Sequence, residues 1–67
     1  MDINKIHVTV DRRDYIGLYW ITEEEGNNDI HVSYAGVKKI SKPINKTQMT
    51  NAGAFAKEIL SDLLRTM

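Results

Sequence analysis

Residues 44–64 read INKTQMTNAGAFAKEILSDLL, and this stretch decides the fold predicted for the chain. Asn45 and Gln48 have the spacing of a capping box, in which two side chains satisfy free backbone groups at a helix start. Ile44 and Met49 stand at the two positions of a hydrophobic staple. The sequence therefore predicts a long C-terminal helix over about 46–66, with Thr47 as an alternative N-cap.

The apolar residues of this helix form a stripe about 180° wide, whereas a helix that lies on one surface needs little more than about 100°. A sheet of three strands is only about 10–15 Å wide. We therefore expect either that the sheet wraps around the helix or that part of the stripe contacts a second partner. The stripe consists of Met49, Ala52, Gly53, Phe55, Ala56, Ile59, Leu60, Leu63, Leu64 and Met67.

Three segments before the helix have the composition of β-strands, over about 3–10, 15–22 and 30–36. The loops between them are short and polar, which predicts hairpins and hence an antiparallel meander. Residues 37–40 either continue the third strand through a bulge or form a short fourth strand, and pairing ends by Pro43. The prediction is a single α+β domain over 1–67, a three- or four-stranded antiparallel β-meander followed by one long C-terminal helix packed on one sheet face (βββα).

The first hairpin has two alternative registers, and a slip of one residue moves a whole strand face from core to solvent. We prefer a loop of three or five residues, because it gathers the most apolar volume against the helix. It also keeps Asp11 from lying opposite Asp14. The residues placed beside the apolar side of the first strand are Ile16, Leu18 and Trp20 in this register, or Tyr15, Gly17 and Tyr19 with a loop of two or four residues.

In the preferred register the second face of the sheet carries two tyrosines and an isoleucine, which suit a protein interface. The chain has 67 residues and no cysteine, so no disulfide can stabilise a core of this small size. We therefore predict a small protein-interaction module that forms a homodimer or caps a larger protein partner. The predicted interface residues are Tyr15, Tyr19, Ile21, Phe55, Ile59, Leu60 and Leu64.

The charge is zero overall and unevenly distributed along the chain. Residues 1–29 have seven acidic and three basic residues, a net charge of −4, and residues 30–67 have six basic and two acidic residues, a net charge of +4. A neutral chain argues against a strongly basic nucleic-acid binder. The alternative prediction is nevertheless a small nucleic-acid-binding domain, in which a lysine cluster near the helix N-terminus contacts phosphates. The cluster consists of Lys38, Lys39, Lys42 and Lys46.

Residues for catalysis or metal binding are few. His7 and His31 are the two histidines, and the preferred register sets them too far apart to share one metal ion. The run of three glutamates at 23–25 lacks the spacing of a calcium loop, and the four glycines match no phosphate-binding motif. A flat sheet face also offers no cleft for nucleophilic catalysis. We therefore predict a protein that is no enzyme, with no catalytic residues, metal, cofactor or small-molecule substrate.

The location predicted from the sequence is the cytoplasm. Absence of cysteine fits a reducing compartment. The first residues lack the basic and apolar segments of a signal peptide. No apolar run approaches the length of a transmembrane helix, so we expect no contact with a membrane.

Residues 50–59, TNAGAFAKEI, resemble the start of the closing helix in the small domains that bind arm-type DNA sites at the amino end of phage and transposon integrases. Those domains consist of a small sheet and one helix, and they bind DNA through basic and polar residues of the sheet face. Here the corresponding face offers Lys5 and the two histidines in the preferred register. The resemblance therefore implies a fold and leaves DNA binding by that face in doubt.

Overall fold

The structure, a computed structural model, describes residues 2–36 and 38–66. It confirms the α+β class, with a four-stranded antiparallel sheet in the order β1-β2-β3-β4 and a C-terminal helix packed on it. Val37, part of the predicted bulge or fourth strand, and Met67, part of the predicted apolar stripe, lie outside the described residues. The elements are β1 (Asn4–Val10), β2 (Arg13–Glu24), β3 (Asn27–Tyr34), β4 (Lys38–Pro43), α1 (Lys46–Met49) and α2 (Ala52–Arg65).

Two hairpin turns consist of two residues that both have positive φ. Asp11 and Arg12 connect β1 to β2 with φ of 51° and 65°, and Glu25 and Gly26 connect β2 to β3 with φ of 51° and 81°. Turns of this type are favoured in hairpins because their twist matches the right-handed twist of the strands. A two-residue turn also fixes the pairing of both strands on either side of it.

The register of the first hairpin differs from the predicted one. Ile6 lies opposite Gly17 and Val8 opposite Tyr15, as a two-residue loop requires. The preference for a loop of three or five residues was therefore wrong, because turn geometry and not apolar volume sets the register. As a result the two faces of β2 are exchanged. The side of β2 that faces the helix carries Tyr15, Gly17, Tyr19 and Ile21, and the other side carries Ile16, Leu18 and Trp20.

The core lies between one face of the sheet and α2. β1 and β3 each contribute alternate β-branched residues, as their sequence patterns predict. The segment between β4 and α1 adds Ile44, whose N–H group also donates to the carbonyl of Asn28 at 2.9 Å. The buried hydrophobic residues are Ile6, Val8, Ile30, Val32, Ile44, Ala56, Ile59 and Leu60, and Gly17 is buried beside them.

Gly17 lets the helix approach the sheet closely. A Cβ atom at this position would lie 2.7 Å from Cδ2 of Leu60 and 3.0 Å from the backbone oxygen of Ser33. Leu60 is fully buried, so its methyl groups fill the space above the glycine. α2 also contacts both edge strands, β1 and β4, together with β3. The helix therefore spans the width of the sheet, and three of its apolar residues are buried there: Ala56, Ile59 and Leu60.

The predicted helix is interrupted near its start. The capping box is present, since the Gln48 N–H donates to Asn45 Oδ1 at 2.8 Å and the Asn45 N–H donates to Gln48 Oε1 at 3.0 Å. Asn51, however, has φ of −133° and ψ of 50°, which is not helical. Asparagine competes with helix formation because its short polar side chain favours turns and caps. The break separates α1 from α2, and Met49 at the end of α1 is 36% exposed.

The first prediction concerns the close approach at Gly17. Gly17→Ala should lower the free energy of unfolding by about 1–3 kcal/mol, because the added methyl group overpacks the core against Leu60 and a backbone oxygen. Gly53→Ala is the matched control. Its Cβ atom would meet only the Tyr19 hydroxyl at 3.7 Å, and alanine favours a helix. Urea denaturation followed by circular dichroism measures both changes. Equal stability of the two variants would contradict the packing described for Gly17.

Candidate functional site: the open face of the sheet

The sheet face that points away from α2 is the candidate functional site, and we call it the open face. No residue of this face is buried in the part of the chain that the structure describes. Its polar residues surround three large apolar side chains that belong to one strand, β2. The open face consists of Lys5, His7, Thr9, Asp14, Ile16, Leu18, Trp20, Thr22, Glu24, Asn27, Asp29, His31, Ser33, Lys39, Ser41 and Pro43.

The apolar strip of the open face consists of Ile16, Leu18 and Trp20. These are successive residues on the same side of β2, which has β1 on one side and β3 on the other. Ile16 is 62% exposed and Leu18 is 37% exposed, and Trp20 is half-buried. A single exposed apolar residue is ordinary, but a contiguous group with a polar rim is typical of a binding surface.

Trp20 is held by its neighbours on β3 and β4. Its ring stacks on His31, with centroids 5.4 Å apart and an angle of 14° between the planes. The ammonium group of Lys39 lies 5.4 Å from the centroid of the Trp20 ring, within the range of a cation–π interaction. The indole therefore has a fixed position on an otherwise exposed face.

His31 uses both ring nitrogens within the sheet. Nε2 is 2.8 Å from Thr22 Oγ1, and Nδ1 is 2.6 Å from Ser41 Oγ. A hydroxyl group can donate or accept, so the two partners satisfy either neutral tautomer as well as the imidazolium ion. A nucleophilic serine would need a histidine oriented by a carboxylate inside a pocket. Here a threonine hydroxyl stands in the orienting position, and the arrangement serves to fix the imidazole against Trp20.

His7 lies in a different environment on the same face. Its Nε2 is 3.6 Å from Asp14 Oδ1, and both side chains are more than half exposed. The same carboxylate oxygen accepts a hydrogen bond from Thr9 Oγ1 at 2.8 Å. His7 and His31 are two strands apart and at different levels along the sheet. Within residues 2–36 and 38–66, no group of three or more potential ligands is arranged to hold a metal ion.

The residues predicted for a protein interface lie in or against the core of the chain itself. Ile59 and Leu60 are buried at 3% and 0% exposure. The other five are half-buried and pack against the core, and one of them, Tyr15, meets Tyr34 edge to face at 5.6 Å. Three of the seven, Tyr15, Tyr19 and Ile21, face the core because the two sides of β2 are exchanged relative to the prediction. The five half-buried residues are Tyr15, Tyr19, Ile21, Phe55 and Leu64.

The apolar strip itself was missed as a site because the preferred register turns it towards the helix. The alternative register, with a two-residue loop in the first hairpin, would have identified the strip, because it turns Ile16 and Leu18 to solvent. The sheet covers most, but not all, of the wide apolar stripe of the helix. Phe55, Leu63 and Leu64 remain half-buried at its margins, although α2 contacts strands at both edges of the sheet.

The four lysines of the predicted cluster are all exposed, but they do not share one surface. Lys39 belongs to the open face, and Lys38 and Lys42 lie on the other side of β4. Lys46 is the first residue of α1. Three of the lysines and Pro43 thus lie on an edge strand, where charges and proline prevent pairing with another strand.

Comparison with protein-family models, with curated proteins and with solved structures finds no match to this chain. The helices in the described ranges are too short or too polar to cross a membrane.

The second prediction compares the two histidines. His31→Ala should lower the free energy of unfolding by about 1–3 kcal/mol, because it removes a ring stack and leaves two hydroxyl groups without their partner. His7→Ala should change it by less than about 0.5 kcal/mol, because a contact of 3.6 Å between two exposed side chains contributes little. Both values follow from the midpoints of chemical denaturation. A smaller effect at His31 than at His7 would contradict the geometry of the open face.

Proposed function

We propose that the protein is a small non-enzymatic protein-interaction module that binds a protein partner through the open face of its sheet. The observation that carries this proposal is the exposed apolar strip on β2, at the centre of a face without buried residues. Burial of such a strip against a partner is favourable, at roughly 25 cal/mol for each Å² of apolar surface removed from water.

The composition of the open face supports a protein partner. Trp20 is a residue type enriched at the energetic centres of interfaces, and its fixed position lowers the entropy cost of binding. Lys5 and Lys39 are offset by Asp14, Glu24 and Asp29, so the face carries no strong charge of one sign. Polar groups at the rim, such as the Ser33 hydroxyl, are suited to hydrogen bonds around an apolar centre.

The size of the face indicates what kind of complex to expect. Four strands are about 19 Å wide, and seven residues along them extend for about 23 Å. This area is small compared with standard interfaces, which bury about 800 Å² on each partner. A single copy of the chain therefore suits a modest contact, or a cap on one exposed surface of a larger protein.

The third prediction tests the open face with a change at its most exposed apolar residue. Ile16→Lys should weaken partner binding at least about tenfold, because it places a charge in the apolar centre of the contact. The variant should keep the fold, since 62% of the Ile16 surface is already in water. Trp20 is the single tryptophan of the chain, so its fluorescence reports directly on this face.

Ala54→Lys is the control for this test. It adds the same charge at an exposed position of α2, on the opposite side of the molecule. Proteins retained by the immobilised chain should be retained by Ala54→Lys and lost with Ile16→Lys. Titration of each retained protein should shift the emission of Trp20. A partner that binds Ile16→Lys as tightly as the unmodified chain, with no change in Trp20 emission, would exclude the open face.

A second candidate function is nucleic-acid binding, which the position of Lys39 favours. A cation beside a fixed indole, with Lys5 on the same face, is a pattern found in proteins that stack bases of single strands. The exposed lysines along β4 and at α1 would add contacts to phosphates. The even balance of charge in the chain makes this the weaker of the two candidates.

The fourth prediction separates the two candidates. If the chain binds nucleic acid, single-stranded DNA should quench Trp20 at about 50 mM salt, and affinity should fall steeply as salt rises. Lys39→Ala should weaken that binding more than Lys42→Ala, because Lys39 alone of the two shares a face with Trp20. A fluorescence titration with single-stranded and duplex DNA measures both. No quenching at low salt would remove this candidate.

A further inference from the structure

The two edges of the sheet differ in how they are protected. β4 carries Lys38, Lys39, Lys42 and Pro43, which oppose pairing with another strand. β1 has the sequence NKIHVTV, with three β-branched apolar residues, one lysine and no proline. β1 pairs with β2 on one side, and no strand in the described ranges pairs with its other side. An unprotected edge of this composition is a template for strand addition.

The free backbone groups of β1 can be assigned from the turn. Val10 and Arg13 flank the two-residue loop, and such a pair exchanges two hydrogen bonds. Because bonded pairs alternate along an antiparallel ladder, the even-numbered residues of β1 bond to β2. The N–H and C=O groups of Lys5, His7 and Thr9 therefore point outwards. Residues 2–36 and 38–66 provide no backbone partner for them.

We propose that β1 pairs antiparallel with β1 of a second copy of the chain, around a two-fold axis at His7, so that two four-stranded sheets join into one of eight strands. This pairing uses the full length of β1 and forms six backbone hydrogen bonds, from the three free N–H groups of each copy. The assembly stops at two copies, because both β1 edges are paired with each other and the β4 edges at the two ends of the sheet oppose addition of a further strand.

The side chains of β1 are complementary to themselves in this register. Lys5 of one copy lies opposite Thr9 of the other, and Ile6 lies opposite Val8. Thr9 holds the carboxylate of Asp14 through a hydrogen bond of 2.8 Å. Lys5 of one copy therefore points along a row that ends in Thr9 and Asp14 of the other copy, and the two-fold axis repeats this opposite-charge pair. Two such pairs favour this register over others.

The helices leave room for the join. α2 contacts β1 and β3, the neighbours of β2 on either side, and Leu60 lies above Gly17 of β2. Because Leu60 lies over β2, the Leu60 side chains of the two copies are at least about 14 Å apart by strand spacings. Packed helices need about 8–10 Å, so the pairing involves no clash. The join also doubles the width of the open face, which brings it nearer to the size of a standard interface.

The fifth prediction concerns the mass in solution. Sedimentation equilibrium should give a mass of about 15 kDa at high concentration, twice the 7.7 kDa of one chain, with dissociation on dilution. In the dimer, amide hydrogen exchange measured by NMR should protect residues 5, 7 and 9 as well as 6, 8 and 10. On dilution, the odd-numbered amides alone should lose protection. A mass near 7.7 kDa at every concentration, or amides at 5, 7 and 9 that exchange freely in the dimer, would overturn the proposal.

A proline at position 7 tests the pairing without breaking a bond to β2. His7→Pro removes an N–H group that points outwards, so it should raise the dissociation constant at least about 100-fold while the circular dichroism of the monomer is retained. His7→Thr keeps the N–H group and should dimerise like the unmodified chain. A dimer that tolerates His7→Pro would place the contact elsewhere, and the exchange measurement above decides the question if that variant does not fold.

Charge reversal tests the register. Lys5→Glu should weaken the dimer, because it sets like charges beside Asp14 of the other copy, and the double variant Lys5→Glu with Asp14→Lys should restore it. The edge of β1 is a different surface from the apolar strip, so the two proposals fail separately. Ile16→Lys should weaken partner binding and leave the mass of the dimer unchanged. Failure of the double variant to recover association would exclude this register.

Discussion

The methyl groups of Leu60 fill the space above Gly17 that a Cβ atom would occupy at any other residue, and the arrangement of the molecule depends on this contact. The two-residue turn at Asp11 and Arg12 sets which side of β2 faces the helix, and the small size of Gly17 lets the helix approach that side closely. With Gly17 in the core, Tyr15, Tyr19 and Ile21 close around the helix from the same side. The period of two in a strand then leaves Ile16, Leu18 and Trp20 on the open face. One small residue in the central part of the sheet thus allows the helix to pack on this side while the candidate binding surface lies on the other.

The same sheet therefore presents two surfaces with different chemistry. The open face offers side chains, with a fixed indole and exposed aliphatic groups at its centre. The β1 edge offers free backbone groups, the type of surface to which an extended strand can be added, with specificity from the side chains beside them. The opposite edge is blocked by lysines and a proline. This asymmetry favours a limited assembly over open-ended growth of the sheet.

Local patterns predicted much of this fold. The meander, the capping box of Asn45 and Gln48, and the apolar sides of β1 and β3 all follow from short-range rules of spacing and turn composition. The facing of β2 could not be predicted in the same way, because both of its sides are apolar and hydrophobic pattern therefore does not decide the register. The register of the first hairpin is set by the two-residue turn at Asp11 and Arg12, which both adopt positive φ although neither is a glycine. The sequence pattern does place Ile16, Leu18 and Trp20 together on one side of β2. The prediction turned that side towards the helix because it used the wrong register for the first hairpin.

The conformations of the turn residues also affect the stability of the folded chain. Asp11, Arg12, Glu25 and Ala35 hold backbone conformations that L-residues with a side chain adopt at a cost of about 1 kcal/mol or more each. A domain of this length has a total free energy of unfolding of about 3–10 kcal/mol, at about 0.05–0.15 kcal/mol per residue. The folded population of such a molecule responds strongly to anything that binds the native state alone. Its cellular lifetime would then be linked to occupancy, because the unoccupied chain opens more often and is exposed to proteolysis.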